Sequence, residues 1–217
     1  MKLLSWNVRG LGKPRAVRCL RHALRDLKID VIFLMETKIY DNKMANIRRN
    51  LGYPFGIEVS SVGSSGGLAI GWKANCKISL RSFSARHIDV TFEDDSDGFS
   101  WRCTGFYGAP EVGNRMDAWN LLRQLNDCPE VPWLVIGDFN EILYNYEKQG
   151  GRLRNDRQMS SFRAVLDDCL LSDLGFRECG ILGRRGDFRR IMFVNVWIEV
   201  SQIISGGIYL PNSKFHT

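Results

Sequence analysis

Apolar positions recur along the chain at two spacings. In "PRAVRCLRHALRDL", Val17, Leu20, Leu24 and Leu27 fall on one helical stripe, the arginines lie largely off it, and Pro14 suits the first turn. "NKMANIRRNL" repeats that spacing through Met44, Ile47 and Leu51, and "RMDAWNLLRQL" and "RQMSSFRAVLDDCLL" predict two further helices. Between them lie short β-rich runs. "KLLSWNV" opens the chain, "DVIFLMET" is apolar throughout, as in a strand buried on both faces, and "PWLVIGDF" is similar. "FGIEVSS", "GGLAIGW", "KISLRSFS", "HIDVTFED" and "WRCTGFYG" form a meander separated by turn residues. In "HIDVTFED", Ile88, Val90 and Phe92 alternate with polar residues, which predicts a half-buried antiparallel strand. Neither an all-β chain nor a regular βαβ series fits. The pattern predicts a single α/β domain, two mainly antiparallel sheets flanked by helices, with weak signals after residue 178.

Several predicted strands end in side chains with chemistry. The first ends in Asn7, the second in Glu36, "GFYG" in Tyr107 and the fourth in Asp138 and Asn140. Strands of one fold can bring such ends together. Two carboxylates and two carboxamides make a hard oxygen site that suits Mg²⁺ or Mn²⁺, ions that take few protein ligands and keep several waters. Each residue also has a structural reading. Asn7 can cap the turn before Gly10, Glu36 can pair with Lys38, Asp138 and Asn140 can form an Asx-turn, and Tyr107 can be a half-buried aromatic with a wet hydroxyl. Only the set, in this order, favours chemistry.

Composition narrows the partner. The 217 residues are 44% hydrophobic and 25% charged, as in ordinary globular proteins, and carry a formal charge of +6. Arg15, Arg18, Arg21 and Arg25 supply part of the excess. Such a balance points to a polyanion such as nucleic acid, or to a basic solvated surface. The six cysteines show no CxxC and no zinc spacing, and no apolar run resembles a signal peptide or membrane span. A reduced intracellular protein, with no membrane or protein partner, is expected.

"LLSWNVRGL", "DVIFLMETK", "GGLAIGW", "GFYGAP" and "WLVIGDFNEI" resemble, in order, the blocks of the endonuclease/exonuclease/phosphatase superfamily, whose fold is that of deoxyribonuclease I. The closer likeness is to the endonuclease domain of plant LINE-type non-LTR retrotransposons, through "SWNVRGLG", "GDFNEIL" and "LDDCLLSDLGF", over about residues 1–178. The resemblance implies a four-layer α/β sandwich that nicks DNA with a divalent ion. Glu36 would be the principal metal ligand and Asn7 would support the ion. Asp138 would activate the attacking water, Asn140 would hold the scissile phosphate and Tyr107 would steady it. Arg9, Lys13, Arg15 and Lys38 neighbour these positions and are the candidates for DNA-backbone contacts.

Two departures stand out. Arg9 replaces an acidic residue found in apurinic endonucleases, and no aspartate occurs in "FRRIMFVNVWIEV", where the family has a late aspartate block. The family closes with a Ser-Asp-His block. Here "LPNSKFHT" leaves His216 as its remnant, or as an unstructured terminal residue. A truncated or degenerate retroelement copy is therefore expected. Three activities follow: a nicking endonuclease, nuclear where it acts on chromosomes; an inactive remnant that still binds nucleic acid; or a phosphatase of the same superfamily.

Overall fold

The computed structural model describes residues 1–63, 65–93, 100–127, 131–147, 153–173 and 198–199. The opening apolar run forms β1 (Lys2–Asn7), and "VIFLM" forms β2 (Val31–Met35), buried throughout as its sequence predicts. They are joined by α1 (Pro14–Leu27). A helical crossover returns the chain to its starting end, so β1 and β2 pair in parallel, from Leu3 opposite Val31 to Asn7 opposite Met35. After α2 (Asp41–Asn50), the hairpin of β3 (Phe55–Val62) and β4 (Ser65–Trp72) joins antiparallel to β2.

The second sheet begins with β5 (Lys77–Ser84), β6 (His87–Glu93) and β7 (Ser100–Tyr107), an antiparallel meander. Helix α3 (Arg115–Leu125) then crosses over to β8 (Trp133–Asp138), which pairs parallel to β7 and is followed by α4 (Asp156–Asp168). A two-residue strand, β9 (Ile198–Glu199), lies antiparallel to β1. The sheet orders are β3-β4-β2-β1-β9 and β5-β6-β7-β8. The expectation of two mainly antiparallel sheets is thus refined: each sheet is mixed and contains one parallel pair.

Three apolar interfaces make four layers. Phe33, Met35, Leu68 and Ile70 of the first sheet meet Ile88, Val90, Cys103 and Ile136 of the second. Leu20, Leu24 and Met44 of α1 and α2 cover Leu4, Ile32 and Leu34. Trp119, Leu122, Phe162 and Val165 of α3 and α4 cover Phe106, Val135 and Phe139. Burial of each such large side chain contributes about 1.5–3 kcal/mol. The sheets approach closely at Gly105, where an added Cβ would lie 2.3 Å from the Phe33 ring. Among the described residues, no helix is long and apolar enough to cross a membrane.

Strand β6 departs from its sequence reading. Ile88, Val90 and Phe92 do enter the inter-sheet core, but His87 and Asp89 on the opposite face are buried as well. Arg102 on β7 donates through Nε to both Asp89 oxygens at 2.9 Å, and Thr104 adds a 2.7 Å bond. Alternation distinguishes the two faces of a strand. It does not tell whether the polar face meets water or a matching buried charge. The residues after 173, other than β9, including His216, lie outside the described set.

Candidate active site

Parallel pairing explains why the strand ends converge. In an antiparallel pair the C-terminal ends point apart; in a parallel pair they lie side by side. The β1–β2 pair therefore delivers Asn7 and Glu36 together, and the β7–β8 pair sets Tyr107 opposite Asp138 in register. Packing of the sheets joins the two pairs. The backbone N–H of Asp138 reaches the Met35 sulfur at 3.2 Å across the interface.

The side chains meet through hydrogen bonds. Asn7 donates from Nδ2 to Glu36 Oε1 at 2.9 Å and to Asp138 Oδ2 at 3.1 Å. The Tyr107 hydroxyl donates to Glu36 Oε1 at 2.8 Å. The Asn140 backbone N–H donates to Asp138 Oδ1 at 2.9 Å, and Asn140 Nδ2 donates to the Gly108 carbonyl at 2.9 Å. The turn readings from sequence are present alongside this convergence. Asn7 Oδ1 accepts the Arg9 N–H, Asp138 makes its Asx-type contact, and Lys38 Nζ lies 3.7 Å from Glu36 Oε2. One polar side chain can do both, because its two terminal atoms face different ways.

Asn7 bridges the two carboxylates: its nitrogen faces Glu36 and Asp138, and its oxygen turns back to accept the Arg9 N–H. Of the basic candidates, Lys38 stands beside Glu36, and Arg9 is exposed on the loop leaving β1. Lys13 and Arg15 are exposed farther on, at the head of α1.

Backbone strain accompanies the site. Glu36 (φ 51°), Lys38 (φ 55°) and Asn140 (φ 55°) are left-handed, a conformation disfavoured for side-chain-bearing residues and frequent at functional sites. Neighbouring carbonyls hold it: Thr37 and Lys38 N–H donate to Gly67 and Gly66 carbonyls at 3.0 Å. A Cβ on Gly108 would lie 2.1 Å from the Phe139 carbonyl oxygen, so only glycine lets the Tyr107 and Asp138 loops touch. Sequence reading missed Gly66, Gly67, Gly108 and Met35. The turn glycines of "SSGGLAIGW" and "GFYGAP" were the available signal.

The two carboxylates differ electrostatically. Burial pushes the Asp138 carboxyl above the usual carboxylate range, against the bonds from Asn7 and Asn140, and the charge of Glu36 adds to the rise. Burial acts to raise Glu36 too, but the bonds from Asn7 and Tyr107, with Lys38 and Arg9 nearby, bring it below its usual value. Burial and the bond to Glu36 raise the Tyr107 phenol, which stays protonated. Among the described residues, no cluster of three or more His, Cys, Asp or Glu is gathered for a metal. The donor set nonetheless fits a hard cation with a largely aqueous shell. Glu36 is partly exposed, and its Oε2 lies 3.7 Å from the Lys38 ammonium.

Comparison with known proteins agrees with this architecture. No curated protein matches the sequence significantly. An AP endonuclease from Leishmania major is similar in structure, with TM-score 0.62 at 17% identity, covering 80% of this chain and 68% of that one. A 3' phosphatase from Neisseria, bound to a product DNA hairpin, gives TM-score 0.62 at 17% identity over 91% and 84% of the two chains. The endonuclease domain of TRAS1, a telomere-specific non-LTR retrotransposon, gives TM-score 0.54 at 12% identity over 77% and 70%. At these identities the likeness concerns the fold. The sequence itself matches a family model over residues 4–189, and the chain thus belongs to the Endonuclease/Exonuclease/phosphatase family.

Proposed function

We propose that the chain hydrolyses phosphodiester bonds in DNA, nicking one strand, with a divalent cation held at Glu36. One observation carries this reading: carboxylates from two sheets share a single Asn7 amide at the end where both parallel pairs finish. The family includes metal-dependent nucleases and phosphatases that act on DNA. When bound, Mg²⁺ or Mn²⁺ supplies positive charge to the phosphate oxygens. The remaining steps belong to the chain. The Asp138 carboxylate, less acidic than usual through burial, accepts the proton of the attacking water. Asn7 holds Asp138 and Glu36 at a fixed separation. Asn140, held by its bond to the Gly108 carbonyl and lying beside Tyr107, turns its amide to the scissile phosphate. Tyr107 stays protonated and holds Glu36 in place. Arg9 and Lys38, with Lys13 and Arg15 behind them, contact the DNA backbone without reading sequence.

The blocks "SWNVRGLG" and "GDFNEIL" support an origin in a LINE-type retroelement of plants, acting in the nucleus. A second reading, a remnant that binds DNA without cleaving it, is favoured by Phe215, which stands directly before His216 where the Ser-Asp-His block has its aspartate. Nicking of supercoiled plasmid distinguishes the two. Cleavage is expected with Mg²⁺ or Mn²⁺, to be abolished by chelator and lost in Asp138→Ala. Binding without cleavage supports the remnant. Nicking that survives in Asp138→Ala refutes the site. Release of phosphate from small phosphoesters, without nicking, points to a phosphatase.

A further inference from the structure

Helix α1 presents a basic face of which the proposed function uses Arg15 alone. Arg15, Arg18, His22 and Arg25 recur at spacings of three and four residues and are all exposed. Leu20, Ala23 and Leu24 on the other side are buried. Elsewhere Arg48 is paired with Glu58, Arg102 with Asp89, Arg115 with Glu141, and Arg123 with Asp168. Among the described residues, Arg15, Arg18 and Arg25 make no ion pair.

A solvated face does not need this pattern, and the helix is weakened by it. No acidic residue occupies the first turn, and Arg15 opposes the positive end of the helix dipole, although Arg25 in the last turn suits its negative end. Arg15–Arg18, Arg18–Arg21 and Arg21–Arg25 are like-charge neighbours, each costing about 0.2–0.5 kcal/mol. A ligand of opposite sign offsets both effects.

Topology supplies the ligand's path. Because α1 links the site end of β1 to the opposite end of β2, it runs away from the candidate site. Arg15 to Arg25 covers about 15 Å at the helical rise. A duplex lying across the mouth is too stiff to turn down this face, with a persistence length of about 150 base pairs. A single strand bends freely, and His22 offers a ring on which a base can stack.

We propose that the outer face of α1 is a rail for a single strand of nucleic acid leading off the site, held by Arg15, Arg18, His22 and Arg25. The inference rests on the nucleic-acid reading of the site. Its test is independent of cleavage: fluorescence anisotropy with the Asp138→Ala chain, without divalent ion, on oligothymidylates of about 6 and about 18 nucleotides. The longer strand should bind about tenfold more tightly at low salt. In the added double variant Arg18→Gln/Arg25→Gln, the two lengths should bind within about twofold of each other. The slope of log K against log salt should become shallower by about 1.4, from 0.7 per phosphate contact. Arg157→Gln, an exposed change on α4, should keep the length effect. Equal binding of both lengths, or an equal loss in Arg157→Gln, overturns the rail. Tighter binding to phosphatidylserine vesicles than to the longer oligonucleotide, lost in the same double variant, overturns it in favour of a membrane surface. Failure of plasmid nicking alone bears on the catalytic reading and leaves this measurement intact.

Discussion

Two kinds of carboxylate are held within or beside the two sheets. Asp89 on β6 is enclosed by cations: Arg102 binds both its oxygens, and Arg81 approaches within 3.2 Å. Glu141, just past the site, is likewise paired with Arg115, whose Nη1 also reaches Gln158. Asp138 and Glu36 are held otherwise. Their close partners are neutral donors, the Asn7 amide, the Tyr107 hydroxyl and the Asn140 N–H, while Lys38 stands off at 3.7 Å. Where the fold needs only stability, it neutralises a buried acid with a guanidinium. At the candidate site it orients two acids with neutral donors, which in the proposed function leaves their negative charge for a cation.

The contrast can be broken by substitution. Glu36→Gln should lower plasmid nicking by about a thousandfold or more, the scale of losing one member of a cooperating site, with the circular dichroism spectrum unchanged. A loss below tenfold would remove Glu36 from the chemistry. Arg102→Met should act the opposite way. By stranding Asp89 it should cost about 3–5 kcal/mol in urea unfolding, and its nicking per folded molecule should stay near wild type. An unchanged unfolding midpoint would show that Arg102 does not hold the second sheet.

Tyr107→Phe should reduce nicking about ten- to a hundredfold, the scale of losing a partner that orients a metal-binding carboxylate. The smallest effect sharpens the comparison through pH. The Asp138 carboxyl is raised by folding, so its contribution to stability is full below the unfolded value and is lost as pH rises through the folded one. Asp138→Asn should therefore raise the melting temperature at pH 7 and give little gain at pH values below the ordinary aspartate range. Glu36 is lowered by folding, so its contribution is present at neutral pH and fades as pH falls through its folded value. Glu36→Gln should lower the melting temperature at pH 7. Shifts of the same sign in both variants would contradict the electrostatic division between them.

Some of the site was legible early because it is written locally. Asn7, Glu36, Tyr107, Asp138 and Asn140 each follow an apolar run, and the run marks where a strand surfaces. The polar face of β6 was not legible. Asp89 looks solvent-facing until Arg102, more than ten residues away, is seen to pair with it, and His87 until Ser82 and Ser84 of the neighbouring strand are seen to bond its ring. The Asn7 rotamer was hidden for a similar reason. Which end of its amide meets the carboxylates depends on the Arg9 N–H, which claims the oxygen.

Periodicity and strand-terminal chemistry were decided by the sequence alone, because spacings of two and of three to four act between near neighbours in the chain. Convergence was decided by the tertiary structure. The bond from Asn7 to Asp138 spans 131 positions, and its existence depends on two parallel crossovers and the packing of one sheet on the other. The charge state of each acid is likewise a tertiary property, since desolvation and donor geometry exist only once those layers close.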